Sequence, residues 1–338
     1  MMNLISFTPL NKDSNNFNLM RLVFSSLVIF SHSYAFLGLP EPIIFGRTLG
    51  NFSVHAFFVV SGYLITASWL NSKNNIITYT ENRILRIFPG LIVSIFICHY
   101  LNIYFESFKN NPIPYIVNGP IWTLTWEITC YIAVIALGLL FVLDKKIFPA
   151  FVAACYLFYL TSYNNPTDFY WVIVPFMLFF MFGSFIFIMK ESISFHKVAL
   201  PSLIILLLCI DSKTPFYLID LIRKNIIFLY GVNINDAFIV QSAYIVTLPF
   251  VLIYIGLYLN CKVKIRTDIS YGTYIYGWPV SQIIVYYSMK YDFTLKPITL
   301  TLTTLLFTFP LAYISWKVIE SPCLKLKGLS LVKSMLSK

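Results

Sequence analysis

The stretch RLVFSSLVIFSHSYAF, residues 21–36, decides the fold class, because it is an apolar run with an arginine at one end and a histidine near the other. A helix that crosses a membrane needs about 20 mostly apolar residues. Ten such runs lie at 17–38, 52–70, 86–106, 122–143, 147–162, 169–189, 197–211, 237–260, 269–289 and 295–318. They predict an all-α polytopic integral membrane protein with about ten transmembrane helices. The broken stretch 212–236 is predicted to be a longer loop.

Composition excludes an ordinary soluble domain. The 338 residues are 58% hydrophobic and 11% charged, with a mean hydropathy of +0.77, whereas a soluble domain is about 25% charged. We expect a short N-terminal segment (1–16), a membrane-embedded domain (17–326) and a basic tail (327–338). The six cysteines are scattered singly, so no metal site is predicted.

The distribution of lysine and arginine predicts the orientation. With an even number of spans both termini share one side, and a cytoplasmic N-terminus places most of the 24 basic residues in cytoplasmic segments. The N-in, C-in arrangement also explains the net charge of +10 without a nucleic-acid partner, because basic segments favour an anionic lipid surface.

Three ionisable residues are predicted at one depth in the outer half of the membrane. His32 follows Arg21 by eleven residues, or about 16 Å along a helix. The runs that contain His55 and Glu127 return from the outside, which places both residues near the outer surface. A buried charge in a membrane usually marks a site or a pair. The alternatives are a hydrogen-bonded neutral His32, a structural ion pair at Glu127 and an interfacial His55.

Other motifs are less specific. Arg83 and Arg86 are three residues apart, so they are predicted to share one side at the cytoplasmic start of the third helix, where they suit either phosphate binding or membrane anchoring. Ser61 and Gly62 favour close helix packing over catalysis. The remaining candidates for substrate binding are aromatic: Trp122 and Trp126, which could instead form an interfacial belt, and Tyr271 in the segment SYGTYIYGWPV (270–280), predicted to be a kinked helix.

The ordered set of motifs resembles the membrane acyltransferase-3 family, and within it the O-acetyltransferases of O-antigen, capsule and other exopolysaccharides. The resemblance covers residues 17–326. The motifs, in chain order, are Arg21-x10-His32, FFVVSGYLI (57–65), Arg83-x-x-Arg86, IWTLTWEITCY (121–131), SYGTYIYGWPV and Glu320-x-Pro322. By itself the last motif, ESPC, is predicted to be a helix stop.

The resemblance implies a multi-pass enzyme of the bacterial inner membrane. It would take an acyl group from cytoplasmic acyl-CoA, most simply acetyl-CoA, as a donor substrate, with no permanently bound cofactor, and pass it to a glycan or lipid-linked sugar. His32 matches the catalytic histidine, Arg21, Arg83 and Arg86 match functional arginines, and Glu127 matches the acid of the tryptophan motif. Longer relatives carry an extracytoplasmic domain, so we expect this chain to act alone or with a separate partner, such as a polysaccharide-assembly protein.

The predicted mechanism uses His32 as a general base and Glu127 as the group that orients it, because an imidazole titrates near neutral pH and a third group commonly positions such a base. The reaction could proceed directly or through an acyl-enzyme. Two alternatives remain from the residues alone. One is a carrier or flippase for a lipid-linked sugar with a His32 and Glu127 proton relay, and the other is a scaffold of polysaccharide assembly.

Overall fold

The computed structural model of the chain describes residues 15–72, 74–161, 169–210, 217, 236–259, 261, 263, 265 and 267–327. The longer helices are α1 (Phe17–Ala35), α2 (Leu49–Asn71), α3 (Ile76–Tyr104), α4 (Ile121–Leu139), α5 (Phe148–Thr161), α6 (Phe169–Ile188), α7 (Phe195–Leu208), α8 (Asp236–Tyr258), α9 (Ser270–Lys290) and α10 (Pro297–Ser315). Each coincides with one predicted apolar run, so the runs are confirmed as helices. Most of the expected loop at 212–236, Lys73 and most of the tail at 327–338 lie outside the described residues.

The short elements connect these helices. A two-stranded antiparallel hairpin, β1 (Ile43–Ile44) and β2 (Arg47–Thr48), precedes α2. A single 3-10 turn, Glu106–Phe108, follows α3, and a π-helical turn, Trp316–Glu320, joins α10 to a short last helix, α11 (Ser321–Lys325).

Five helical segments are long and apolar enough to cross a membrane, by length and composition, in the part of the chain that is described. They are Leu49–Asn71, Ile76–Tyr104, Ile121–Leu139, Ile239–Tyr258 and Pro297–Lys325. The helices α5 and α7 have only 14 residues each, or about 21 Å at 1.5 Å per residue, which is less than the roughly 30 Å of hydrocarbon. The chain is therefore a helical membrane protein, and the count of ten spans stays a prediction.

Two predicted boundaries are wrong. Helix α3 begins at Ile76, ten residues before the apolar run, because the Asn75 side chain accepts a hydrogen bond from the Thr78 backbone N–H at 3.0 Å and caps it. The predicted stop at Glu320 is instead a continuation of the helix. Pro322 lies near the start of α11, directly after the π-helical turn Trp316–Glu320, where the regular α-helical hydrogen-bond pattern is already interrupted.

The chain divides into two compact units. The first comprises residues 1–42, 68–125 and 262–338, and the second residues 43–67 and 126–261. In the first unit α1 packs on α9 and α10, around the buried side chains of Phe36, Val285 and Leu300. This packing fixes the C-terminal end of α1, where His32 lies.

In the second unit glycines allow helices to approach closely. A Cβ atom on Gly62 would overlap the carbonyl oxygen of Phe180, and one on Gly183 would overlap that of Val59. The predicted packing role of the Ser61 and Gly62 pair is therefore confirmed for Gly62.

Candidate active site

His32 lies in the last turn of α1, with a carboxylate on one side and an aromatic ring on the other. Its Nδ1 atom is 3.6 Å from Oε2 of Glu41, and its ring centroid is 5.0 Å from that of Trp278 in an edge-to-face arrangement. The same Glu41 oxygen accepts a hydrogen bond from the Ser31 hydroxyl. The His32 side chain is 28% exposed, so a substrate can reach the imidazole.

Glu41 remains ionised at neutral pH. Its pKa lies below the ordinary value because His32 and then Ser31 stabilise the carboxylate, while partial burial opposes them. A carboxylate beside an imidazole favours the tautomer with the proton on Nδ1, which leaves the lone pair of Nε2 for a substrate proton. The arrangement is that of a general base with an orienting acid.

Trp278 is held firmly beside the histidine. Its indole Nε1–H donates to the carbonyl oxygen of Ile116 at 2.9 Å. The Gln282 amide donates to the same carbonyl oxygen, also at 2.9 Å. A Cβ atom on Gly119 would lie 2.8 Å from the indole ring, so this segment fits closely against Trp278 only because position 119 has no side chain.

A second charged cluster joins three helices of the first unit. Arg21 of α1 and Arg86 of α3 both form salt bridges with Asp268, which precedes α9. Burial alone would raise the pKa of Asp268, but the two guanidinium charges outweigh it and hold the pKa well below its ordinary value. Glu320 also acts electrostatically on this cluster and is fully buried, with Oε1 accepting from the Ser315 hydroxyl at 3.3 Å.

Arg83 and Arg86 form hydrogen bonds with different side chains. Arg83 donates from Nη2 to the Ser68 hydroxyl at 3.1 Å, and its guanidinium lies 5.9 Å from the Tyr79 ring centroid. Arg86 is bound to Asp268 instead. Because α3 begins at Ile76, both arginines lie inside the helix and not at its start.

The other predicted substrate residues have different surroundings. Tyr271 is buried, and its hydroxyl donates to the Ile87 carbonyl oxygen at 2.9 Å, which joins α9 to α3. Trp122 is 43% exposed and Trp126 is partly buried. Exposure suits either role predicted for Trp122, the interfacial belt or the sugar contact.

Glu127 belongs to the second unit and has hydroxyl partners there. Its Oε1 atom accepts from Ser61 at 3.0 Å and from Tyr131, one helical turn along α4, at 2.5 Å. These contacts are compatible with a partly buried acid in a site. Its pairing with His32 stays a prediction.

His55 is a core residue and does not lie at an interface. It is 1% exposed, it shares a 3.0 Å hydrogen bond from Nδ1 with the Tyr244 hydroxyl, and it contacts the rings of Phe176 and Phe179. The hydrogen bond satisfies the buried imidazole, so His55 has structural contacts, but they lie in the core and not at the interface that the sequence suggested.

The sequence did not identify Glu41, Asp268 or Trp278 as site residues. One signal was available for the first, since Glu41 is the only acidic residue between Asp13 and Glu81. Asp268 is likewise a lone acid after a basic stretch that contains Lys262, Lys264 and Arg266.

Comparisons with known proteins identify one family and two relatives. Residues 14–317 match the family described as Acyltransferase domain, Acyl_transf_3. The chain is 26% identical over 345 aligned positions to an O-acetyl transferase of Shigella phage Sf6, covering 91% of this chain and 95% of that protein. It is also 38% identical over 85 positions to Nodulation protein 10 of Rhizobium leguminosarum bv. viciae, covering 24% of this chain and 23% of that protein. No solved structure matches.

Proposed function

We propose that this chain, which belongs to the Acyl_transf_3 acyltransferase family, is a membrane O-acyltransferase that moves an acetyl group from acetyl-CoA to a hydroxyl of a surface or lipid-linked glycan. The phage relative named O-acetyl transferase supports the reaction class, because it aligns with nearly the whole chain. The observation that carries the proposal is the accessible His32 imidazole between Glu41 and Trp278 at the end of an apolar helix.

The chemistry follows from those groups. Nε2 of His32 takes the proton of the acceptor hydroxyl as its oxygen attacks the thioester carbonyl carbon. The carbon–sulfur bond then breaks, and the imidazolium returns the proton to the leaving thiolate, which gives the acetyl ester and free CoA. The Trp278 ring offers an apolar face on which a sugar ring could stack. Glu127, which accepts hydrogen bonds from Ser61 and Tyr131, stays a candidate for the role that the sequence predicts, a partner of the His32 imidazole.

Arg83 is the proposed main contact for the donor phosphates. A guanidinium group binds phosphate through two parallel hydrogen bonds. Arg21 and Arg86 stay candidate donor contacts, but their shared bond to Asp268 offsets part of their charge.

The activity can be tested with purified protein in lipid nanodiscs. With acetyl-CoA and envelope polysaccharide from a strain that lacks this protein, we expect CoA release that depends on the polysaccharide, together with a gain of acetyl ester detected by mass spectrometry. In the same assay Arg83→Ala should raise KM for acetyl-CoA by about 10-fold with kcat little changed, and Arg83→Lys should restore part of it. Lys109→Ala, which removes a cation of an exposed ion pair, is the control. Transport of a lipid-linked sugar without use of acetyl-CoA would contradict the proposal.

The proposed location is the bacterial inner membrane, with ten spans and both termini in the cytoplasm, as the basic residues favour. Single cysteines at Asn75 and Asn110 measure the orientation through an impermeant thiol reagent applied from outside, in a background without the native cysteines. Asn110 should react and Asn75 should react only after the membrane is opened. The reverse pattern would overturn the proposed orientation.

A further inference from the structure

We infer that Glu41 is the positioning residue of His32, so that the loop following α1 completes the base of the proposed transfer reaction. The inference deepens the proposed function and rests on it. The contact itself is the 3.6 Å approach of Glu41 Oε2 to His32 Nδ1.

The backbone brings Glu41 back over its own helix. Gly38 has a φ of +70°, a conformation that glycine adopts without strain. The Gly38 N–H donates to the Ala35 carbonyl oxygen at 3.0 Å, and the Leu39 N–H donates to that of Tyr34 at 2.9 Å. This turn reverses the chain directly after α1, so Glu41 faces the helix turn that carries Ser31 and His32.

The position of Glu41 is restricted in two further ways. Pro40 and Pro42 flank it, so its neighbours have fixed φ values and Glu41 itself is confined to extended backbone. The Ser31 hydroxyl donates to Oε2, the oxygen that faces His32. A carboxylate already ordered by its surroundings loses little further entropy when it orients an imidazole.

A separation of 3.6 Å is slightly longer than a hydrogen bond and lies within the range of an ion pair. When His32 accepts a proton, the new positive charge lies beside this carboxylate. The attraction holds the imidazolium next to the carboxylate while the proton is on the ring.

The surroundings of His32 offer few competing charges. Of the two helices packed against α1, α10 has no charged residue between Pro297 and Ser315, and α9 has only Lys290, in its last position. The tyrosines of α9 (Tyr271, Tyr274, Tyr276, Tyr286 and Tyr287) and Tyr313 of α10 are the other titratable groups on these helices. In the described part of the chain, Glu41 is the carboxylate that pairs with His32.

The test compares wild type with Glu41→Gln, which keeps the shape and loses the charge. The first readout needs no enzymatic activity: it is the pH dependence of His32 modification by diethyl pyrocarbonate, which attacks neutral imidazole, followed by mass spectrometry. Glu41→Gln removes the negative charge 3.6 Å from Nδ1, so the midpoint should move to lower pH than in wild type. Glu106→Gln, which removes an exposed carboxylate paired with Lys109, should leave the midpoint unchanged.

The second readout is acetyl transfer. Glu41→Gln should lower kcat by about 10-fold to 100-fold with KM for acetyl-CoA within 2-fold of wild type, and the acid limb of its pH profile should move in the same direction as the modification midpoint. Glu41→Asp should restore the midpoint in part. If Glu41→Gln does not fold, Glu41→Asp and Ser31→Ala take its place, and each should lower kcat about 2-fold to 10-fold with KM unchanged.

An unmoved midpoint in Glu41→Gln overturns the inference, and so does unchanged kcat in both substitute variants. The two failures are distinguishable. If wild-type protein transfers no acetyl group, yet the modification midpoint differs between wild type and Glu41→Gln, only the proposed function is contradicted. Active protein with an unmoved midpoint contradicts the role of Glu41 alone.

Discussion

Replacing His32 with alanine is expected to lower kcat for acetyl transfer by about 10²-fold to 10⁴-fold, the range that a general base contributes. Among the residues that the structure describes, Glu41 is the carboxylate beside His32 that could still take the hydroxyl proton, and the low basicity of a carboxylate makes it a poor substitute at neutral pH. The measurement is single-turnover acetyl transfer by the purified variant in nanodiscs.

The same variant should fold. The His32 side chain is 28% exposed at the end of α1, and removing an imidazole does not reduce the hydrophobicity of the helix. His99→Ala is the matched control, because His99 is an exposed histidine of the first unit, on α3, and should leave kcat unchanged. Wild-type transfer by folded His32→Ala protein would contradict the assignment of the base.

Two double variants separate the candidate partners of His32. Residues that act as one unit are strongly non-additive, so His32→Ala combined with Glu41→Gln should be little slower than His32→Ala alone. The same comparison with Glu127→Gln tests the pairing that the sequence predicts. An independent contribution from Glu127 would indicate that it acts elsewhere in the reaction, through its contacts with Ser61 and Tyr131.

Apolar runs predicted the helices because the membrane imposes one rule on every span, and that rule can be read from composition. The same rule misplaced the start of α3. Glu81, Asn82 and Arg83 lie before the apolar run but inside the helix, since polar side chains on a helix face do not break its backbone hydrogen bonds. The cap at Asn75 sets the boundary, and a hydropathy pattern does not contain it.

The site was predicted only in part, for a related reason. His32 was noticeable because an imidazole in an apolar run is costly. Glu41 lies in a loop, where an acid is ordinary, and it meets His32 only because Gly38 turns the chain back. Asp268 also precedes its helix and is separated from Arg21 by 247 positions in the chain. Such long-range pairs depend on how α1, α3 and α9 pack, which local patterns do not specify.

Replacing Asp268 with asparagine is expected to destabilise the protein by about 3–5 kcal/mol, the cost of removing one partner from a buried ion pair. The Asp268 side chain is 11% exposed, and those of Arg21 and Arg86 are 22% and 21% exposed. Asparagine carries no negative charge, so the two guanidinium groups lose the carboxylate that offsets their mutual repulsion. The measurement is the yield and thermal unfolding of the purified variant in one detergent, with Glu191→Gln, half of the exposed Lys145 pair, as a control that should change little.

Adding Arg86→Gln to Asp268→Asn should recover part of the lost stability, because it removes one of the two repelling cations. Recovery would assign Arg86 a structural role in joining α3 to α9. The activity lost in Arg86→Ala would then follow the loss of folded protein, whereas in Arg83→Ala the folded protein would remain and KM for acetyl-CoA would rise. Wild-type stability of Asp268→Asn would contradict this interpretation, and would leave both arginines available for the donor phosphates.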